Sequence, residues 1–142
     1  MSTIKECPFC NLGERSIKEN KHAKLILSDP RKVVGHFLVI PKRHIEKPWE
    51  MTEEELVCVF ELVHFIQKRI VETMRGGADI RENYRPFLKQ GRIKVDHIHY
   101  HVYPRQNEDE LFQRVEKFER EMFIPLRSEE RERILKLVGL EG

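Results

Sequence analysis

Long apolar runs are missing from this 142-residue chain, and no stretch approaches the roughly 20 consecutive apolar residues a bilayer span requires. No membrane partner is therefore expected. Cysteine is scarce as well: three residues do not build a disulfide framework. Residues 1–6 carry no apolar core of a secretory signal, so the cytoplasm is the expected compartment. Charge of a single sign is also lacking. Lys and Arg number 26 against 24 Asp and Glu, a formal net charge of +2 that is too weak for a general nucleic-acid binder. Internal repeats and low-complexity linkers are absent. Charge of both signs is abundant, and the length suits a single domain, residues 1–142, with a real core.

The stretch Val95-Asp96-His97-Ile98-His99-Tyr100-His101-Val102-Tyr103-Pro104-Arg105 holds three of the seven histidines at alternate positions. The residues between them are β-branched, aliphatic or aromatic, which predicts a strand. A strand places His97, His99 and His101 on one face, roughly 6.6 Å apart from one to the next. A helix would scatter them by about 200° per pair. Three imidazoles protonated together would repel, so some must be neutral, metal-bound or paired with an anion. A solvated polar face and a metal site made by these three alone are both open readings. Catalysis on an anionic substrate is favoured, a neutral imidazole attacking phosphorus while its neighbours donate to the oxygens.

Near the N-terminus stands Cys7-Pro8-Phe9-Cys10. A C-x-x-C pair serves redox chemistry or metal binding. No βαβ pattern follows to suggest a thioredoxin-like site, and no second C-x-x-C completes a zinc knuckle. Histidines would have to supply the remaining ligands if zinc is bound.

The motif His97-Ile98-His99-Tyr100-His101-Val102-Tyr103 resembles the signature of the histidine triad superfamily, and Gly35-His36-Phe37-Leu38-Val39-Ile40-Pro41-Lys42-Arg43-His44 is similar to its second typical segment. The resemblance spans about residues 7 to 105. It implies that His99, the middle histidine, is the nucleophile of a nucleotidyl-histidine intermediate, with His101 hydrogen-bonding the phosphate oxygens or the leaving group. The zinc-bearing branch and galactose-1-phosphate uridylyltransferase start similarly. By that likeness a structural zinc ion would be held by Cys7, Cys10, His44 and His97, a closed tetrahedral Cys₂His₂ site. Contacts to the nucleoside sugar are implied for the turn bearing Ser28 and Asp29. The sequence departs from the pattern at Ile93, where many members carry a glutamine four residues before the first histidine. Gln90 and Arg92 are nearby candidates to serve the phosphates instead.

In chain order, residues 22–28 read as a strand, 29–32 as a turn and 33–40 as a second strand. His36 is expected to pack near the triad rather than to bind metal. Residues 52–74 form the main helix, with Thr52 and Glu55 as a capping box and Gly76-Gly77 as its stop. Leu56, Val59, Phe60, Val63, Ile66, Ile70 and Met74 are expected to face the sheet. Cys58, Leu62 and Phe65 make a second apolar stripe, read as a homodimer contact, and the superfamily's common two-fold assembly agrees. Residues 83–88 read as an irregular strand. Beyond the resemblance, residues 106–142 read as a helical extension: an amphipathic helix over 106–121, then a short one N-capped by Ser128.

The expected fold is α+β, an antiparallel sheet of about five strands packed on one long helix, with extra C-terminal helices. The activity implied is that of a hydrolase of nucleotidyl phosphates, with dinucleoside polyphosphates or nucleoside phosphoramidates as substrates. A nucleotidyltransferase or phosphorylase with the same intermediate is an alternative, as is a nucleotide-binding regulatory protein of negligible turnover. Uridylyltransferases carry glutamine at the third triad position, so His101 favours the hydrolase.

Overall fold

The computed structural model describes residues 6–91 and 93–140. The chain divides into two compact units, Met1–Asn107 and Glu108–Gly142. In the first, strands β1 (Lys18–Glu19), β2 (Ala23–Leu27), β3 (Phe37–Pro41), β4 (Gly77–Arg81) and β5 (Tyr100–Arg105) form one sheet in the order β1-β2-β3-β5-β4. Every pairing is antiparallel. Helix α1 (Glu53–Met74) packs on one face, giving the expected α+β architecture.

Alternation along the strands builds two apolar layers. Ala23, Leu25, Val39, Tyr100 and Val102 meet Val59, Leu62, Val63, Ile66 and Ile70 of α1. Ile26, Leu38 and Ile40 face the other way and are covered by Cys7, Phe9 and Leu12. Each large side chain so buried contributes about 1.5–3 kcal/mol relative to exposure. His101 is the register partner of Leu38, so it shares the face turned away from α1. The site is built on that face.

The α1 N-terminus is fixed as expected. Thr52 accepts from the Glu55 amide, and Glu55 accepts from the Thr52 amide. Arg43 adds a two-pronged contact at 2.8 and 2.9 Å, which pulls the buried Glu55 carboxyl down to about 2. The segment just ahead of His44 is thereby clamped to the helix start.

Several sequence expectations need correction. The apolar stripe of α1 includes Leu62, only 3 % exposed in the chain's own core, while Leu56 and Met74 are exposed. Leu62 lies three residues beyond Val59 and four before Ile66, on the same helical face, so it cannot present a second stripe. Cys58 and Phe65 are half-buried against that same core. The helix stops on Arg75, in the left-handed region at φ 54°, rather than on the glycines. Gly76 is needed for another reason: a Cβ there would collide with the Arg105 carbonyl.

Residues 83–88 are not a strand. The fifth strand is Gly77–Arg81, an edge strand whose mostly exposed side chains leave no apolar alternation to read. Strand β3 begins only at Phe37, because residues 31–35 belong to the preceding loop, where Gly35 sits at φ 82° against Pro104. Lys18–Glu19, within a polar stretch, is a short further strand.

In the second unit, a π-helical turn Phe112–Glu116 and a 3-10 turn Glu119–Met122 replace the expected regular helix. Helix α2 (Ser128–Leu137) follows. Its cap is Arg127, with Ser128 already the first helical residue and no side-chain capping bond.

Candidate active site and metal centre

The histidine stretch keeps its sidedness although the ladder covers only its second half. Ile98, Tyr100 and Val102 point into the helix-side core. His97 and His99 precede β5, where the Ile98 amide is bonded to the Ile45 carbonyl at 2.7 Å instead of to a strand. The expected strand over 95–105 is thus shorter than the alternation that predicted it.

His97 departs from the other two and joins Cys7, Cys10 and His44. One ligand atom from each of these four lies within 4.8 Å of the others. Sγ of Cys7 is 3.3 Å from Nδ1 of His97, and Sγ of Cys10 is 3.4 Å from that atom and 3.2 Å from Nδ1 of His44. The far nitrogens fix the tautomers. His97 donates from Nε2 to the Pro41 carbonyl at 2.8 Å, and His44 donates from Nε2 to Glu46 at 2.9 Å. Both Nδ1 lone pairs therefore face the sulfurs, the arrangement a metal-bound imidazole takes. Tetrahedral zinc would set S···N edges of about 3.5 Å, so the four residues fit a metal ion with little movement. With no cation present, burial and the neighbouring Cys7 thiol push the Cys10 thiol up to about 12. A divalent cation reverses that balance by binding the thiolate.

His99 donates from Nδ1 to the His97 carbonyl at 2.8 Å, which leaves the lone pair on Nε2. Burial lowers its pKa, favouring the neutral ring. His101 receives the opposite tautomer through a short chain. The Lys32 amide donates to Nδ1 of His36 at 3.0 Å, so the proton of His36 stands on Nε2. That Nε2 lies 2.8 Å from Nδ1 of His101 and donates to it, so the proton of His101 stands on Nε2. Burial is the main cause that holds His36 at about 4 and His101 at about 3, so both are neutral at ordinary pH. The two imidazole centroids of His99 and His101 are 4.9 Å apart. One ring offers a lone pair and its neighbour a hydrogen-bond donor.

Two cavities meet at His99. One, of about 360 Å³, is lined by His99, His101, His36, Ser28, Asp29 and Phe9 among others. The Ser28 hydroxyl donates to the Pro30 carbonyl at 2.9 Å, so it shapes the turn. The second, of about 490 Å³, has His97, His99 and Gln90 in its wall. Gln90 accepts from the Asp96 amide at 2.9 Å. Ser28 and Asp29 are thus brought together with the histidine pair, whereas Gln90 is on the other side of His99. Arg92 lies outside the described residues.

Two contributors escaped the sequence reading. Phe9, the inner residue of C-x-x-C, sets its ring edge-on to both His97 at 6.1 Å and His99 at 5.0 Å, joining the metal-type cluster to the nucleophile position. The Lys32 amide sets the tautomer of His36, and a backbone group leaves no trace in a motif.

The HIT domain family pattern matches residues 12–108. The chain belongs to the HIT family. Among its HIT relatives is the adenosine 5'-monophosphoramidase hnt1 of Schizosaccharomyces pombe, 33 % identical over 111 residues, covering 72 % of this chain and 77 % of that one. Among solved structures, a HIT family member from Bacillus subtilis superimposes with a TM-score of 0.71 at 27 % identity, covering 94 % of each chain. A Zn-bound histidine triad family protein from Mycobacterium smegmatis gives 0.64 at 28 % identity, over 77 % of this chain and 81 % of that one.

Proposed function

We propose that this HIT protein hydrolyses nucleotidyl phosphates through a nucleotidyl-histidine intermediate at His99, with nucleoside phosphoramidates or dinucleoside polyphosphates as substrates. The observation that carries the reading is the opposed tautomer pair: an Nε2 lone pair on His99 beside an Nε2–H on His101. Kinship to an adenosine 5'-monophosphoramidase supports the substrate class.

In the first half-reaction the His99 Nε2 lone pair forms a bond to the α-phosphorus. The bond from phosphorus to the leaving group breaks, and the leaving group keeps that electron pair. His101 holds a phosphate oxygen with its Nε2–H, and the His36 chain keeps that proton in place without being consumed. In the second half-reaction a water oxygen bonds to phosphorus, the N–P electron pair returns to Nε2, and the water proton leaves to solvent. Asp29 accepts from the ribose hydroxyls, and Ser28 holds the turn that presents it.

Cys7, Cys10, His44 and His97 hold a structural zinc ion in this reading, which keeps His97 neutral and pins residues 7–10 beside the nucleophile. The free thiols suit a reducing compartment, the cytoplasm. The family resemblance supports a homodimer whose contact does not involve Leu62.

A screen of adenosine phosphoramidate, dinucleoside polyphosphates and nucleotide sugars, with the His99→Ala variant as blank, tests the reading. Turnover of at least one compound by the native protein alone is expected. Equal turnover by the variant overturns the nucleophile assignment.

A further inference from the structure

The second cavity at His99 is not used by the mechanism above, and its wall has a distinct character. Lys47, Arg85 and Lys89 line it and make no ion pair among the described residues. Of the carboxylates in the same wall, Glu46 is held by His44, Asp96 by Lys94, and Glu6 is otherwise engaged. Three uncommitted cations thus stand against the Glu82 carboxyl. Tyr84 also lines the cavity, and its ring meets Trp49 edge-on at 5.2 Å. Trp49 is 68 % exposed, an unusual position for the chain's only tryptophan.

A phosphorus atom seated at His99 has a nucleoside on one side and a leaving group to place on the other. The cavity with Asp29 and the histidine pair takes the nucleoside. The remaining space is the one with the cations and the aromatic pair.

We propose that this second cavity is the leaving-group subsite. Lys47, Arg85 and Lys89 there select a polyphosphate chain, and Trp49 with Tyr84 offers a face to its terminal base. The ligand class is a nucleoside polyphosphate, displaced from a dinucleoside polyphosphate. Cations of this kind attract phosphate oxygens through charge-assisted hydrogen bonds, and an exposed indole stacks on any base. Ammonia, the leaving group of adenosine phosphoramidate, reaches none of these groups. The inference rests on His99 as the nucleophile.

The test compares the native protein with Lys47→Ala/Arg85→Ala/Lys89→Ala and with Trp49→Ala, measuring kcat/KM on diadenosine tetraphosphate and on adenosine phosphoramidate. The ratio of the first to the second should fall about tenfold in the triple variant and severalfold in Trp49→Ala, with the triple variant's loss shrinking as salt rises. General damage to the fold lowers both rates and leaves the ratio alone, and an unchanged ratio overturns the subsite. Calorimetry with inorganic tripolyphosphate judges the cavity independently of turnover. Binding by the native protein that weakens about tenfold in the triple variant supports it, and equal or absent binding overturns it. Should the native protein turn over neither compound, the hydrolase reading fails and the tripolyphosphate result alone decides the subsite.

Discussion

His36 is the position where the account can be pushed hardest, because it acts in two measurable ways. Its ring is 4 % exposed, receives the Lys32 amide and donates to His101. Burial, then Lys32, holds its pKa at about 4 against an ordinary 6.5. The sign follows from proton counting. Below pH 6.5 the unfolded chain binds a proton that the folded protein refuses, so stability falls as pH drops from 6.5 towards 4. At pH 5 about 1.5 units of that window are spent, at about 1.4 kcal/mol per unit, or about 2 kcal/mol from this one residue.

His36→Gln removes the titrating group while its amide can still donate to His101. Urea unfolding at pH 7.5 and 5.0 should therefore show a smaller acid loss in His36→Gln than in the native protein, by about 2 kcal/mol. His101 and the cysteine–histidine cluster titrate in both proteins, so their contributions cancel in the difference. His36→Leu, which removes the donor, should lower kcat by about two- to tenfold, the worth of one net hydrogen bond, and more than His36→Gln does. Equal acid loss in the native protein and His36→Gln would refute the burial argument. Undiminished kcat in His36→Leu would refute the tautomer chain.

The remaining predictions concern metal and packing. The purified protein should carry about one zinc per chain, and Cys7→Ser/Cys10→Ser should lose it and melt lower, as metal analysis and calorimetry would show. Full metal content in that variant would exclude the site. Leu62→Glu should unfold the chain rather than dissociate a dimer, because the charge enters the α1 core; a folded monomer by sedimentation and circular dichroism would restore the surface reading. Gly76→Ala should cost about 1–3 kcal/mol in urea unfolding, because the backbone at Arg105 has no room to yield; an unchanged midpoint would contradict that.

The chemistry was more legible in the sequence than the backbone carrying it. Alternation placed the histidines opposite Ile98, Tyr100 and Val102 even where no ladder forms, because side-chain sidedness needs extended backbone and not a paired neighbour. The capping box was readable because it is a local contract between Thr52 and Glu55. Strand β4 was not, since an edge strand gains stability from its partner's hydrogen bonds and asks little of its own side chains. Leu62 was misplaced by sorting helix positions into two stripes when the sheet covers a wider arc. The grouping of Cys7 and Cys10 with His44 and His97 came from family likeness. Residues 34 to 90 positions apart reveal their meeting only in three dimensions.

The central claim is a covalent bond to Nε2 of His99, and trapping it tests that claim most directly. The native protein, mixed with substrate and quenched in alkali within the first turnover, should yield a peptide containing His99 with one nucleotidyl mass added. His101→Ala should accumulate or form that adduct more slowly, and His99→Ala should never form it. A nucleotidyl adduct on another residue, or hydrolysis with no adduct at any time in the first turnover, would contradict the account.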